Sequence, residues 1–323
     1  MNETFNIHEY DHYLIMFSGG KDSTASFLHL LDLGIPISKI ELWHHLIDGK
    51  EHRFMDWECT EDYCRKFADA FLVPIYFSWK QGGFEGEMLR NNTPTKETYF
   101  ETPDGLFHSG GKGKANTRFQ FPQLSANLSQ RWCSPYLKID VAASAIVNQP
   151  RFNGKKVLVI SGERAEESPS RKHYLFFETD RADNRNGRKK RHVDRCRIIH
   201  HWNEKRVWDI IAVYKIIVHP CYYLGYGRCS CKWCIFASPS QVATSFALSP
   251  KQGAKIAEYE KQFGKNIHPG IDLGSYSSKG LVYEGVFQFP SIAAQAISRN
   301  YLLPIFCDNW ILPAGAYKSF HNH

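Results

Sequence analysis

"YLIMFSGGKDST", residues 13–24, sets an apolar run directly against two glycines, a lysine, an aspartate and three hydroxyls. Residues 13–18 read as a buried strand. Over 22–33, Phe27, Leu28, Leu30 and Leu31 recur at helical spacing until Gly34 and Pro36 stop them. A tight turn between a strand and a helix is where an open α/β sheet binds ligands. Ser18, Gly19 and Gly20 can curl the backbone so that successive N–H groups converge on an anion, and the helix adds its positive end. Lys21 supplies a point charge, while Asp22 and Ser23 offer caps and hydroxyl or metal contacts. Neither GxxxxGK[ST] nor GxGxxG is present here. A near-copy, "HSGGKGKA" at 108–115, has no apolar strand before it and no helical pattern after it. It reads as a flexible loop, although Lys112, Lys114 and Arg118 could close over phosphate.

Further strands are expected at Ile40 to Trp43 and Pro74 to Ser78, with a helix from Thr60 to Phe71 between them. This is a β-α-β-α-β beginning, the pattern of a parallel sheet with helical crossovers. From Lys80 to Arg118 the chain is polar, rich in Gly, Pro and Thr, and without periodicity. Helical patterning returns at Leu124 to Leu128 and Tyr136 to Val147, and "KVLVIS", 156–161, is an interior-strand signal. Helices are expected at Glu204 to Tyr214, near 240–263 and near 291–299.

The chain of 323 residues, 43% apolar and 14% aromatic, is long enough for one large domain or two and excludes general disorder. No apolar run reaches the roughly 18 residues of a spanning helix, and the N-terminus lacks a signal-peptide pattern, so a cytoplasmic protein is expected. Its nine cysteines should then stay reduced. Cys229, Cys231 and Cys234 crowd into six residues, a spacing that suits metal or redox chemistry better than disulfides. The net charge is +7, and 181–197, "RADNRNGRKKRHVDRCR", holds eight Arg or Lys against two Asp. That segment is a candidate surface for a nucleic acid or other anionic partner, or else a solvated loop.

In its strand-loop-helix setting, "SGGKDS" resembles the SGGxDS signature of the PP-loop ATP pyrophosphatases. "SGERAEESPSR", 161–171, resembles the G-x-R-x-x-E-S-x-x-R stretch of phosphoadenylyl-sulfate (PAPS) reductase-like proteins at Gly162, Arg164, Glu167, Ser168 and Arg171. "RWCSPYLKID", 131–140, is similar to that family's R-x-C-x-x-x-x-K element. "HPCYYLGYGRCSCKWC", 219–234, resembles its P-x-Y-x-x-G-x-x-R-x-x-C-x-x-C segment through Pro220, Tyr222, Gly225, Arg228, Cys231 and Cys234. The four motifs run in order from about residue 13 to residue 236.

The resemblance implies a doubly wound, mostly parallel α/β domain over 1–236, with 237–323 as an extension packed on it. It implies Mg²⁺-dependent cleavage of ATP between the α and β phosphates, adenylating an acceptor, with sulfur transfer or nucleic-acid modification as the outcome. Lys21, Asp22, Arg164 and Arg171 are the expected catalytic groups. Ser18 to Ser23, His44, Gly162, Arg164, Glu167 and Ser168 are the expected nucleotide contacts. His44 and His45 could stack on adenine or hold a metal. Cys133, Cys231 and Cys234, with Cys229 as the fourth thiolate, would suit a [4Fe–4S] cluster or zinc. The last residues, "AYKSFHNH", carry no cysteine, a departure that argues against sulfate reduction. Phosphoadenylyl-sulfate reduction with sulfite release and a non-enzymatic ATP-binding redox regulator are the alternatives. A homo-oligomer, or a partner protein of a modification system, fits either reading.

Overall fold

The computed structural model describes residues 5–125 and 127–318. Eight strands form one sheet: β1 His12–Met16, β2 Ile40–His45, β3 Ile75–Lys80, β4 Glu97–Thr102, β5 Gly105–Gly110, β6 Lys156–Ile160, β7 Phe177–Thr179 and β8 His192–Cys196. Their order is β5-β4-β3-β2-β1-β6-β8-β7. Strands β3, β2, β1, β6 and β8 run parallel, and β4, β5 and β7 are antiparallel additions at the two edges. The chain steps outward from β1 to β3, then returns to place β6 on the other flank of β1. That reversal opens a crevice at the carboxyl ends of β1 and β6.

Strand alternation assigns the two faces. Tyr13, Ile15, Leu42, Phe77, Leu158 and Ile160 pack under α1 (Lys21–Asp32), α2 (Thr60–Phe71) and the later helix Glu204–Val213, through Phe27, Leu28, Phe67, Val207 and Trp208. Leu14, Trp43, Val157, Val159 and Val193 face the other way, against Ala145 and Ile146 of the helix Asp140–Val147. Helices thus cover both faces, as a doubly wound sheet requires.

A third apolar cluster lies beyond the sheet. It joins Ile47, Phe54, Phe84, Trp132 and Leu137 to Trp233 and Ile235, and to Val242, Ile256 and Leu273 of the helices Pro239–Leu248, Pro250–Phe263 and Leu273–Ser277.

Three stretches differ from expectation. The polar region after Lys80 contains a short helix, Gly83–Met88, and the β4–β5 hairpin. The second SGGK begins inside β5, an exposed edge strand, and no helix follows it. The basic segment is largely the β7–β8 hairpin, whose strand β8 pairs residue by residue with β6. Residues 124–128 form bends and a turn, with residue 126 outside the described positions. Of the tail, residues 319–323 lie outside the described positions as well. No helix among the described residues is long and apolar enough to cross a membrane.

Candidate functional site

Gly20 is the N-cap of α1, and Gly19 before it turns through a φ of 76°. Within the turn, Ser23 Oγ accepts the Ser18 N–H at 3.2 Å and donates to the Gly20 carbonyl at 2.9 Å. Ser18 Oγ accepts the Gly20 N–H at 3.3 Å. The two serines therefore shape the loop before any ligand arrives.

The loop after β6 meets this turn across the crevice. A Cβ on Gly162 would stand 2.9 Å from the Asp22 carbonyl carbon, so only glycine permits this approach. Arg164 crosses from that second loop and donates through Nε to Asp22 Oδ1 at 2.6 Å. Its Nη1 reaches Glu166 at 2.7 Å and the Trp202 carbonyl at 3.3 Å. Its side chain is fully buried, and Nη2 has no hydrogen-bond partner among the described residues. A buried guanidinium donor left unpaired is costly, and an anionic oxygen is what it lacks. Burial alone would raise the Asp22 carboxyl, but the charges of Lys21 and Arg164 hold it below its ordinary value.

Glu167 organises the rest of the motif. Its carboxylate accepts the Arg164 N–H at 2.9 Å and pairs with Arg171. Ser168 caps the short helix Pro169–Lys172 by accepting the Arg171 N–H at 3.3 Å. Arg171 is partly exposed beside this turn, and Asp22 lies near enough to raise its pKa further.

Lys21 departs from expectation. Its side chain is buried and donates to the Gly227 carbonyl at 3.1 Å, with Glu204 at 3.7 Å and Asp22 at 3.5 Å. The ammonium is thus turned under the 219–229 segment, because Glu204 and the Gly227 carbonyl give it a buried partner set. The Lys21 N–H donates to Tyr222 Oη at 2.9 Å, and the same hydroxyl accepts the Cys229 N–H at 3.2 Å. Tyr222 stood in the sequence motif without a role; here it clamps the start of α1.

His44 lies directly behind the loop. Its Nδ1–H donates to the Phe17 carbonyl at 2.8 Å, which leaves Nε2 as a buried acceptor without a partner. Burial lowers its pKa to about 4, so the ring is neutral at pH 7. His45 points to the opposite face, onto Ser78 Oγ at 2.8 Å.

The cysteines divide into two groups. Cys133, Cys231 and Cys234 border the third apolar cluster; burial pushes the Cys133 and Cys231 thiols up, Cys234 lies near enough to raise both further, and Lys138 sits among them. Cys229 belongs elsewhere. Its ligand atom, with those of His219 and Cys221, forms the trio whose atoms all lie within 4.8 Å of one another among the described residues. A hydrogen bond from Cys221 draws the Cys229 thiol well below its usual range, and His219 adds to the effect. The expected fourth thiolate of the first group is thereby turned toward the phosphate loop. Sequence spacing could not separate Cys229 from Cys231, since both stand next to the C-x-x-C.

The basic segment is mostly spent on itself. Arg181 pairs with Asp140 at 2.7 Å, Arg195 with Asp180 at 2.7 Å, and Arg197 with Glu178 at 2.8 Å. Arg185 pairs with Asp183 at 2.9 Å and also with Asp194, while buried Arg191 donates to the Ala182 carbonyl at 3.0 Å. Arg188, Lys189 and Lys190 are exposed and make no ion pair among the described residues.

The phosphoadenosine phosphosulfate reductase domain matches residues 12–237 of the chain. An uncharacterised 37.8 kDa protein from Escherichia phage 186 is 34% identical over 142 residues, 44% of this chain and 40% of its own length. The chain thus aligns with less than half of that relative. Candida glabrata FMN adenylyltransferase, solved with FAD and pyrophosphate and again with FMN and an ATP analogue, superposes with a TM-score of 0.36 at 13% identity. The superposition covers 70% of this chain and 57% of the adenylyltransferase.

Proposed function

We propose that the chain, which belongs to the phosphoadenosine phosphosulfate reductase domain family, cleaves ATP between the α and β phosphates and passes the adenylyl group to an acceptor. One observation supports this most: buried Arg164 spans the β1–β6 crevice to Asp22 with Nη2 still unpaired. An adenine nucleotide laid over Ser18 to Ser23 would present a phosphate oxygen to that donor.

The acceptor's nucleophile forms its bond to the α-phosphorus as the bond to the bridging oxygen breaks. Pyrophosphate leaves with the electron pair, and the charge it gains develops over the turn and the positive end of α1. Arg164 and Arg171 would hold the phosphoryl oxygens, and His44 Nε2 would accept from the adenine amino group. Lys21 contributes its charge from beneath the loop. Mg²⁺, bound with the nucleotide, would screen the phosphates. Asp22 is engaged by Arg164 and Lys21, so its part is to fix Arg164.

Cys133, Cys231 and Cys234 would hold a [4Fe–4S] cluster, with zinc as the alternative: the three thiols border one apolar cluster with Lys138 among them.

Calorimetry and a pyrophosphate-release assay test the reading. Wild-type protein should bind ATP, and Arg164→Gln should bind it about 10- to 100-fold more weakly, the worth of a charge-assisted hydrogen bond. A wild-type protein with no ATP affinity ends the proposal. Binding without pyrophosphate release from any acceptor favours a regulator, and sulfite release from phosphoadenylyl sulfate with thioredoxin favours a reductase.

A further inference from the structure

Behind the phosphate turn, His219, Cys221 and Cys229 bring their ligand atoms within 4.8 Å of one another. A fourth donor adjoins them: Cys59 Sγ lies 3.3 Å from His219 Nε2. His219, Cys221 and Cys59 are fully buried, so water cannot compensate these groups. Burial pushes the Cys59 thiol up, while its place as the N-cap of α2 sets it at the positive end of that helix.

We propose that Cys59, His219, Cys221 and Cys229 bind one thiophilic divalent ion of the zinc class, separate from the centre at Cys133, Cys231 and Cys234. One imidazole and three thiolates are an established tetrahedral zinc set. With Zn–S of about 2.3 Å and Zn–N of about 2.0 Å, neighbouring ligand atoms stand roughly 3.5–3.8 Å apart, inside the 4.8 Å that His219, Cys221 and Cys229 show, while Cys59 would close on the ion from beside His219. Ligation through Nε2 moves the ring proton to Nδ1 and gives up the 3.3 Å bond from the buried Cys221 N–H, a cost that the metal–ligand bonds must outweigh. Three thiolates and a dication leave one negative charge, and Lys21 and Lys138 both act on this cluster.

Such an ion would be a clamp. It ties the start of α2 to the segment whose Tyr222 and Cys229 press on the phosphate turn, where a Cβ on Gly20 would stand 3.2 Å from Cys229 Cβ. The site does not depend on ATP cleavage, and a protein without nucleotide activity could still hold the ion.

Titration of metal-stripped full-length protein with Co²⁺ under anaerobic conditions tests it. One equivalent should give the thiolate-to-cobalt absorption and strong visible bands of a tetrahedral site. That signal should persist in Cys231→Ser/Cys234→Ser and vanish in Cys221→Ser and Cys229→Ser. In wild-type protein, one equivalent of Zn²⁺ should protect Cys59, Cys221 and Cys229 from alkylation, mapped by mass spectrometry, and leave Cys307 as reactive as before. Cobalt bands retained by the Cys221 and Cys229 variants, or alkylation unchanged by Zn²⁺, would overturn the assignment. So would a disulfide between Cys221 and Cys229 in anaerobic protein that takes up no metal.

Discussion

Asp22 places a carboxylate at the head of a helix that should attract phosphate, and its neighbours decide whether that repels a ligand. Lys21 and Arg164 both act on it and hold its carboxyl below its ordinary value, so its charge is offset at the turn. The place of Arg164 beside the second glycine turn was legible, whereas its bond to Asp22 and the inward turn of Lys21 were not. That turn depends on Glu204 and the Gly227 carbonyl, both about 200 residues distant in sequence. The same logic, away from the site, gives a pH test. Burial pushes the Glu41 carboxyl up, yet bonds from His12 and Arg151 draw it down to about 2. A carboxylate depressed on folding stabilises above its unfolded value of about 4.5, and this contribution is lost as pH falls toward 2. Arg151→Gln should therefore cost on the order of 1.5–3 kcal/mol at pH 7. In urea unfolding the gap to wild type should close between pH 4.5 and pH 2. A gap that is constant with pH would mean that packing, not the ion pair, carries the effect.

At the level of elements, the two edge hairpins escaped the sequence, parallel β8 among them, and the other parallel strands did not. Strands β1, β2 and β6 are buried on both faces and read as continuous apolar runs. Strand β4 buries Thr98 and Thr102 beside Phe100, and β8 buries Asp194, which Tyr10, His192 and Arg185 satisfy. Polar residues buried with partners look like loop in one dimension. For β8 the misreading inflated the charge available to a polyanion. Only Arg188, Lys189 and Lys190 stay exposed and without an ion pair among the described residues. Each phosphate contact contributes about −0.9 to the logarithmic salt slope of duplex binding, so this hairpin can supply at most about −3. Replacing the three by Ser should flatten any measured slope by no more than that and leave ATP affinity unchanged. A larger change in slope would show that the ion pairs of Arg181 or Arg185 open on nucleic acid. Lys112→Ala, in the exposed stretch just after β5, should alter neither quantity.

The molecule as a whole depends on the stretch of chain beyond residue 237, where the family's match ends. This later part returns to both cores: Val242, Ile256, Ile267 and Leu273 enter the cluster behind the sheet, and Ala296, Tyr301 and Ile305 enter the one under α1 and α2. Backbone bonds bind it as well. The Ile217 N–H donates to the Ile305 carbonyl at 2.7 Å, the Cys307 N–H to Lys215 at 3.0 Å, and Trp310 Nε1 to Ile216 at 2.9 Å. Near the end of the described chain, the Gly315 N–H donates to the Tyr222 carbonyl at 2.7 Å and the Tyr317 N–H to Glu204 at 3.2 Å. These last contacts buttress the two side chains that meet Lys21. Two truncations should then behave differently. A chain ending at residue 237 loses six large apolar side chains from the two cores, Val242, Ile256, Ile267, Leu273, Tyr301 and Ile305, whose burial is worth roughly 1.5–3 kcal/mol each. That total rivals the usual 5–15 kcal/mol of a domain, so no cooperative thermal transition is expected. A chain ending at Leu312 keeps both clusters and should melt cooperatively within a few degrees of the full protein. Losing the supports of Tyr222 and Glu204, it should bind ATP several-fold more weakly. Calorimetry on the shorter loss and melting curves on the longer one separate these outcomes. If the chain ending at residue 237 folds cooperatively, 237–323 is an accessory part, and the family domain carries its own core.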